Sequence, residues 1–259
     1  MIQSKTIFVI GAAGLLGSEI SESVIMADAN LIIAERDTSR AEELLKKLCD
    51  KYPEASSRIL ITELDITNKK SIINALELGF KKFGSLDGFV NTAYPRPKGF
   101  GKNFFDVEYD TFCASLNLHL GGYFLAAQAF SEFAKEKKLS ASLVNIASIY
   151  GVIAPRFDIY QNTNMTNGPE YAVIKSGIIQ LTKFMAKELQ GLPLRVNTVS
   201  PGGIEDGQPE SFQQAYKDHC SQKGMLSPSD VTGAIIFLLS DMAKYITGQN
   251  IIVDDGFTL

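Results

Sequence analysis

Short apolar runs punctuate the chain at regular intervals: "TIFVI" (6–10), "NLIIA" (30–34), "RILIT" (58–62), "LDGFV" (86–90), "ASLVNI" (141–146), "LRVNTV" (194–199) and "QNIIV" (249–253). They are rich in Val and Ile with little alternation, the pattern of strands buried on both faces of a parallel sheet. Between them the pattern changes to helical spacing. Segment 38–50 is amphipathic and is expected to be capped by Thr38 or Ser39. In 170–190, Ile174, Ile178, Leu181, Met185 and Leu189 share one face. Strand–helix alternation of this kind predicts an α/β fold: a doubly wound, seven-stranded parallel sheet with helices on both faces. No repeat, low-complexity tract or linker divides residues 1–259, so one domain is expected. The Pro/Gly-rich patches at 94–101 and 200–209 follow strands, where such folds place their ligand loops.

Composition narrows the classes. At 259 residues, 45% hydrophobic and mean hydropathy +0.04, the chain has enough apolar material for a substantial core. Its net charge of -4, with Lys and Arg scattered, lacks the basic stripe of a nucleic-acid binder. Cys49, Cys113 and Cys220 stand far apart, without metal-ligand spacing, so no metal and no disulfide framework is expected and a reducing cytoplasm is the simplest setting. The apolar run near the N-terminus lacks a cleavage site and falls short of the ~20 residues of a membrane span.

"GAAGLLG" follows the first strand and opens the first helix, with Gly11, Gly14 and Gly17 spaced G-x-x-G-x-x-G. Glycines there let backbone approach a pyrophosphate, and the helix N-terminus favours the anion. Glu35 ends the second strand, where a carboxylate accepts both hydroxyls of an adenosine ribose and repels a 2′-phosphate. That points to NAD. Arg36 beside it keeps NADP possible.

Downstream come "LDIT" with Asp65, "VNTA" with Asn91, "LNLHLGG" with Asn117, "VNIAS" with Ser148, "YAVIK" with Tyr171 and Lys175, "VSPGGI", and the ending "YITGQNIIVDDG". This ordered series resembles the short-chain dehydrogenase/reductase family over essentially the whole chain. The resemblance implies a Rossmann-type fold and a tetrad of Asn117, Ser148, Tyr171 and Lys175, with Asn117 holding a water that links Lys175 to solvent. It also implies a dinucleotide site formed by Gly11, Gly14, Leu16, Gly17, Glu35, Arg36, Asp65, Ile66, Asn91, Ala93, Pro201, Gly202 and Ile204, together with Tyr171 and Lys175. The chemistry is coherent by itself. Reduction of a carbonyl needs a hydride from a cofactor and a proton from the protein. A lysine four residues after a tyrosine shares its helical face and favours phenolate, while Ser148 can donate to the carbonyl oxygen. Tyr150 and Tyr160 have no such lysine and are assigned to pocket or packing. His119 and His219 are taken as structural, with His119 facing away from the site.

The glycine spacing is that of the extended branch of the family, with Leu15 at the compact branch's middle glycine. Only 84 residues follow Lys175, which favours the compact branch. Tyr94 replaces a usual glycine near the mouth of the site, and Asp206 stands where a threonine is common. The widest departure is the 22-residue stretch between Ser148 and Tyr171. Its amides and charges, Arg156 among them, suit a polyhydroxylated or phosphorylated substrate, with Tyr94, Tyr150, Arg156 and Ser148 as expected contacts. The stretch is similar to that of members from flagellin-modification and nonulosonate-type sugar pathways. A surface insertion that only braces a neighbouring subunit remains the alternative. The leading expectation is an NAD(P)-dependent oxidoreductase acting on a sugar derivative. The alternatives are a 3-oxoacyl-thioester or small-ketone reductase and a non-catalytic NAD-binding protein. Residues 203–228 are expected to form a helical lid, and the helices at 104–134 and 170–190 to form a homodimer or homotetramer.

Overall fold

The computed structural model describes residues 1–259. Strands β1 (Thr6–Ile10), β2 (Asn30–Glu35), β3 (Ile59–Glu63), β4 (Gly88–Asn91), β5 (Ala141–Ile146), β6 (Leu194–Pro201) and β7 (Asn250–Val253) form one sheet in the order β3-β2-β1-β4-β5-β6-β7. Every pairing is parallel. Ile10 at the end of β1 pairs with Ala34 on one side and Asn91 on the other. The connections leave β1 and β4 in opposite directions, which opens a crevice at the strands' carboxyl ends.

The pleat divides the core. Ile7, Val9, Leu31, Ile33 and Val144 face helices α1 (Leu15–Met26), α2 (Thr38–Lys51) and α8 (Pro228–Leu239). Phe8, Ile10, Ile32, Phe89 and Leu143 face α3 (Lys69–Phe83), α5 (Gly122–Glu136) and α6 (Pro169–Glu188). Successive strand residues pointing to opposite layers explain why the runs are apolar throughout. Each fully buried Ile or Phe contributes about 1.5–3 kcal/mol. Ile149, Tyr150, Ile159, Phe212, Tyr216, Met225 and Phe257 form a third, smaller cluster. It joins the long stretch after Ser148 to α7 (Glu210–Lys217) and to the chain's end.

Local details differ from expectation. Asp37 caps α2, accepting from the N–H groups of Ser39 (3.1 Å) and Arg40 (3.4 Å), because the helix already begins at Thr38 and the carboxylate stands just ahead of it. The helix expected from 104 begins only at Tyr109, with α4 (Tyr109–Ser115); Phe104 and Phe105 are exposed ahead of it. Between α4 and α5 lies a π-helical segment, Leu116–Gly121. The region of the expected lid is helical only over α7, then turns back so that Leu226 pairs with Ile204. No helix is long and apolar enough to cross a membrane.

Candidate active site

The crevice at the switch point is a cleft of about 900 Å³. At one end Gly11 adopts φ +72, and a Cβ there would lie 2.9 Å from Thr92 Oγ1 and 3.0 Å from the Ala93 nitrogen. A Cβ on Gly17 would stand 2.1 Å from the Gly11 carbonyl oxygen. The turn therefore closes tightly on α1, whose first intrahelical bond runs from the Ser18 N–H to the Gly14 oxygen (2.9 Å). The N–H groups of Leu15, Leu16 and Gly17 precede that bond and lack helical acceptors, and all three residues line the cleft. Gly14 lines it too. This cradle fits a pyrophosphate.

Glu35 and Arg36 border the same end. The Glu35 carboxylate accepts from the Ala13 N–H (3.2 Å) and the Arg36 N–H (3.0 Å). Arg40 also lines this end and donates to the Ala13 carbonyl oxygen (2.8 Å). The sequence reading missed Arg40, although its place on the first turn of α2 was a usable signal. Asp65 and Ile66 lie on the wall; the Thr67 hydroxyl (2.6 Å) and N–H (2.8 Å) hold the Asp65 carboxyl below its usual range. Asn91 does not reach the cleft. It is fully buried, its Oδ1 accepts from the Ala93 N–H (3.3 Å), and Thr92 and Ala93 form the wall instead. It ends β4 between Ile10 of β1 and Asn145 of β5, where its side chain is covered. Pro201, Gly202 and Ile204 line the opposite wall, where the Tyr216 hydroxyl accepts from the Gly203 N–H (2.6 Å).

At the other end α6 begins with Pro169, whose fixed φ suits a first helical position. Tyr171 and Lys175 follow one turn apart and both line the cleft. The Lys175 Nζ donates to the Ile146 carbonyl oxygen (3.1 Å) and lies 5.7 Å from the Tyr171 ring centre. Ser148 caps the turn after β5 and accepts from the Tyr150 N–H (3.2 Å). That turn sits directly on α6: a Cβ on Gly151 would come within 2.6 Å of the Lys175 carbonyl carbon. Close approach of two backbones thus brings Ser148 to Tyr171.

Burial raises the Tyr171 phenol above its ordinary value, and the nearby Ser148 hydroxyl only partly offsets this. The expected lowering by Lys175 is absent. Burial pushes the lysine itself down to about 7, so its charged and neutral forms are both accessible near neutrality. The pair is therefore set up as a neutral phenol backed by an amine that titrates near pH 7.

Asn117, expected beside this pair, lies on the exposed side of the π segment and does not line the cleft. Its neighbour His119 is fully buried, 5.2 Å from the Tyr94 ring and 5.3 Å from the Tyr123 ring. A π turn takes an extra residue, so a reading at regular helical period misjudges which side chains point inward. His119 faces inward, toward Tyr94, Tyr123 and Lys175, and lies behind the residues that line the cleft.

Tyr94 lines the mouth, 6.0 Å from the Tyr171 ring, with the Arg96 guanidinium 4.8 Å over its own ring. Tyr150 lines the wall, and its hydroxyl accepts from the Tyr160 hydroxyl (3.2 Å). Asn167 Nδ2 in turn donates to Tyr160 at 3.5 Å, while its buried Oδ1 has no partner. Arg156 departs from expectation. It points to the chain's end, donating to the carbonyl oxygens of Phe257 (3.3 Å) and Leu259 (3.4 Å), and it is not on the cleft. Its guanidinium follows the aromatic face of Phe257, which the third cluster places behind the wall. Asn167, one of the amides the sequence placed beside the pocket with Arg156, and Arg96, which sequence reasoning did not name, hold the positions expected of Arg156.

A doubly wound sheet, a glycine cradle at its switch point and a serine, tyrosine and lysine meeting across one turn define a short-chain dehydrogenase/reductase. The family model described as "Enoyl-(Acyl carrier protein) reductase" matches residues 11–258, and the chain belongs to that family of oxidoreductases. Among similar proteins, "Post-translational flagellin modification protein A" of Campylobacter coli is 41% identical, over 100% of both chains. A 3-oxoacyl-[acyl-carrier-protein] reductase of Thermotoga maritima is 29% identical over 100% of this chain and 99% of its own. A short chain dehydrogenase from Leptospira borgpetersenii, solved with bound NAD+, is similar with TM-score 0.84 and 30% identity over 100% of this chain and 94% of that one.

Proposed function

We propose that the protein uses NAD to interconvert a secondary alcohol and a ketone on a polyhydroxylated, anionic substrate of the sugar type. The observation that carries the substrate class is Asn167: a buried amide oxygen without a partner, in a wall where its Nδ2 bonds Tyr160 and Tyr160 bonds Tyr150. A buried acceptor of this kind costs stability unless a ligand hydroxyl fills it. Arg96 at the mouth adds a cation for a phosphate or carboxylate. The name of the Campylobacter coli relative, a flagellin modification protein, agrees with this class.

The cofactor assignment rests on the cradle formed by Gly11, Gly14 and Gly17, on the Glu35 carboxylate at the ribose end, and on the NAD+ bound by the Leptospira relative. Arg36 and Arg40 border that end and leave NADP as a second substrate. The nicotinamide supplies or accepts the hydride. The protein supplies the rest: Ser148 donates to the carbonyl oxygen, Tyr171 gives that oxygen its proton, and Lys175 returns a proton to Tyr171. In the reverse direction the same atoms move back. Exposed Phe124 on α5, and Val173 and Phe184 on α6, suit assembly of copies through those helices.

The reading as a 3-oxoacyl-thioester or small-ketone reductase draws on Met165, Phe212 and Met225, which line the same end, and on the Thermotoga relative. One assay separates the two. Nicotinamide absorbance is followed with NADH and NADPH against keto-sugars, their phosphates and nucleotide conjugates, with medium-chain ketones and acyl thioesters as controls. Turnover confined to the sugar class is the expected result; turnover confined to the controls contradicts it.

A further inference from the structure

The mechanism above leaves one buried titratable group beside Lys175 unused. His119 is fully buried, and neither ring nitrogen has a hydrogen-bond partner in the protein. A neutral imidazole offers one donor and one acceptor, and buried polar groups are nearly always satisfied. His119 therefore sits behind the Tyr94 wall for a partner other than a neighbouring side chain. The geometry identifies that partner. His119 packs on the rings of Tyr94 and Tyr123, at 5.2 and 5.3 Å. The Lys175 Nζ lies 5.7 and 5.8 Å from the centres of the same two rings. Lys175 also has donors to spare, since its only recorded acceptor is the Ile146 oxygen.

We infer that His119, and not Asn117, is the residue that supplies Lys175 with its proton, across one bridging water; this rests on the assignment of Tyr171 and Lys175 above. Tyr94, Tyr123 and Lys175 face the imidazole, and Glu170 acts on Tyr94 from α6. Burial holds both tyrosines above their ordinary range, so they stay neutral, and Lys175 is the group whose charge changes there. Burial first, and the lysine's charge second, keep His119 neutral. During reduction the Tyr171 O–H bond breaks as the substrate O–H bond forms. Tyr171 regains its proton from Lys175. Lys175 regains one through the water from the His119 N–H, and the opposite ring nitrogen, itself shielded from solvent, regains one through a further water relay whose proton originates in solvent. One solvent proton is consumed, and the imidazole ends in its other tautomer.

The test needs no substrate in its first arm. The Lys175 Nζ is titrated by nitrogen NMR in the wild type, His119→Leu and His119→Asn. A hydrogen-bond acceptor favours the ammonium, so His119→Leu lowers the lysine midpoint by about one unit, while the amide of His119→Asn keeps it near the wild-type value. In turnover of the panel compound reduced fastest, His119→Leu loses about 10²-fold in kcat, His119→Asn recovers most of it, and Asn117→Ala stays within about twofold. An unmoved lysine midpoint in folded His119→Leu overturns the inference, as does a loss in Asn117→Ala equal to that in His119→Leu. Should His119→Leu not fold, the wild-type imidazole nitrogens decide. They follow the lysine titration, and that step disappears in Lys175→Met; flat imidazole signals overturn the inference. Retained turnover in Tyr171→Phe contradicts the assigned chemistry instead, and leaves the titrations standing.

Discussion

At the nucleotide end of the cleft the wall is largely backbone: a left-handed glycine, the first turn of α1 and the ends of β1, β2 and β4. At the substrate end it is mostly side chains carried on loops: Tyr94 and Arg96 after β4, Tyr150, Tyr160 and Asn167 before α6, and Phe212 and Tyr216 on α7. The first wall follows from the sheet and cannot move without it. The second is held by a small cluster of its own, by the Arg156 contacts with the chain's end and by the His219–Asp158 pair at 3.0 Å. The common fold thus fixes where the cofactor lies, and the side-chain wall selects what reacts with it.

The sharpest way to break this division is Gly17→Ala. A methyl placed 2.1 Å from the Gly11 oxygen forces the turn open. NADH affinity falls at least about 10²-fold and stability by about 1–3 kcal/mol. Titration calorimetry and thermal melts measure both.

Lys175→Met tests the buried amine. The native state holds this lysine at about 7, against its ordinary value of 10.5 when unfolded. Between these values the unfolded chain binds more protons, so wild-type stability attributable to this group rises with pH. The variant's stability advantage is therefore full at or below pH 7, on the order of a few kcal/mol, and vanishes toward 10.5. Denaturant melts of both proteins across that window give the difference. A constant difference contradicts the burial effect.

Two arginines sharpen the substrate end. Arg96→Ala raises KM for an anionic substrate about tenfold with stability unchanged. Arg156→Ala leaves KM within about twofold and lowers stability by about 1 kcal/mol, since it holds carbonyls behind the wall. Steady-state kinetics with each variant separates them. The smallest effect is expected of His219→Gln, which breaks the exposed pair with Asp158 and moves Tm by no more than about two degrees.

Legibility in the sequence follows the same division. Strand positions were readable because burial on both faces leaves unbroken apolar runs, and the glycine loop because only glycine fits its contacts. Tyr171, Lys175 and Ser148 were readable because one helical turn and one strand end place them. Asn117 was misplaced by the π segment, which shifts the inward face of the helix to His119 and Tyr123. Arg156 was misplaced because its partner Phe257 lies about a hundred residues away along the chain, and no local pattern announces such a contact. The Asn91 side chain was assigned to the cleft from its motif, although it is fully covered between β1 and β5.

The most direct test of the account is a paired measurement on Tyr171→Phe: NADH dissociation constant and turnover of the best panel substrate, beside the wild type. The account predicts affinity within about twofold and turnover reduced about 10²–10⁴-fold, because the lost hydroxyl belongs to proton transfer and not to the nucleotide wall. Turnover that survives the substitution, or affinity and turnover that fall together, contradicts it.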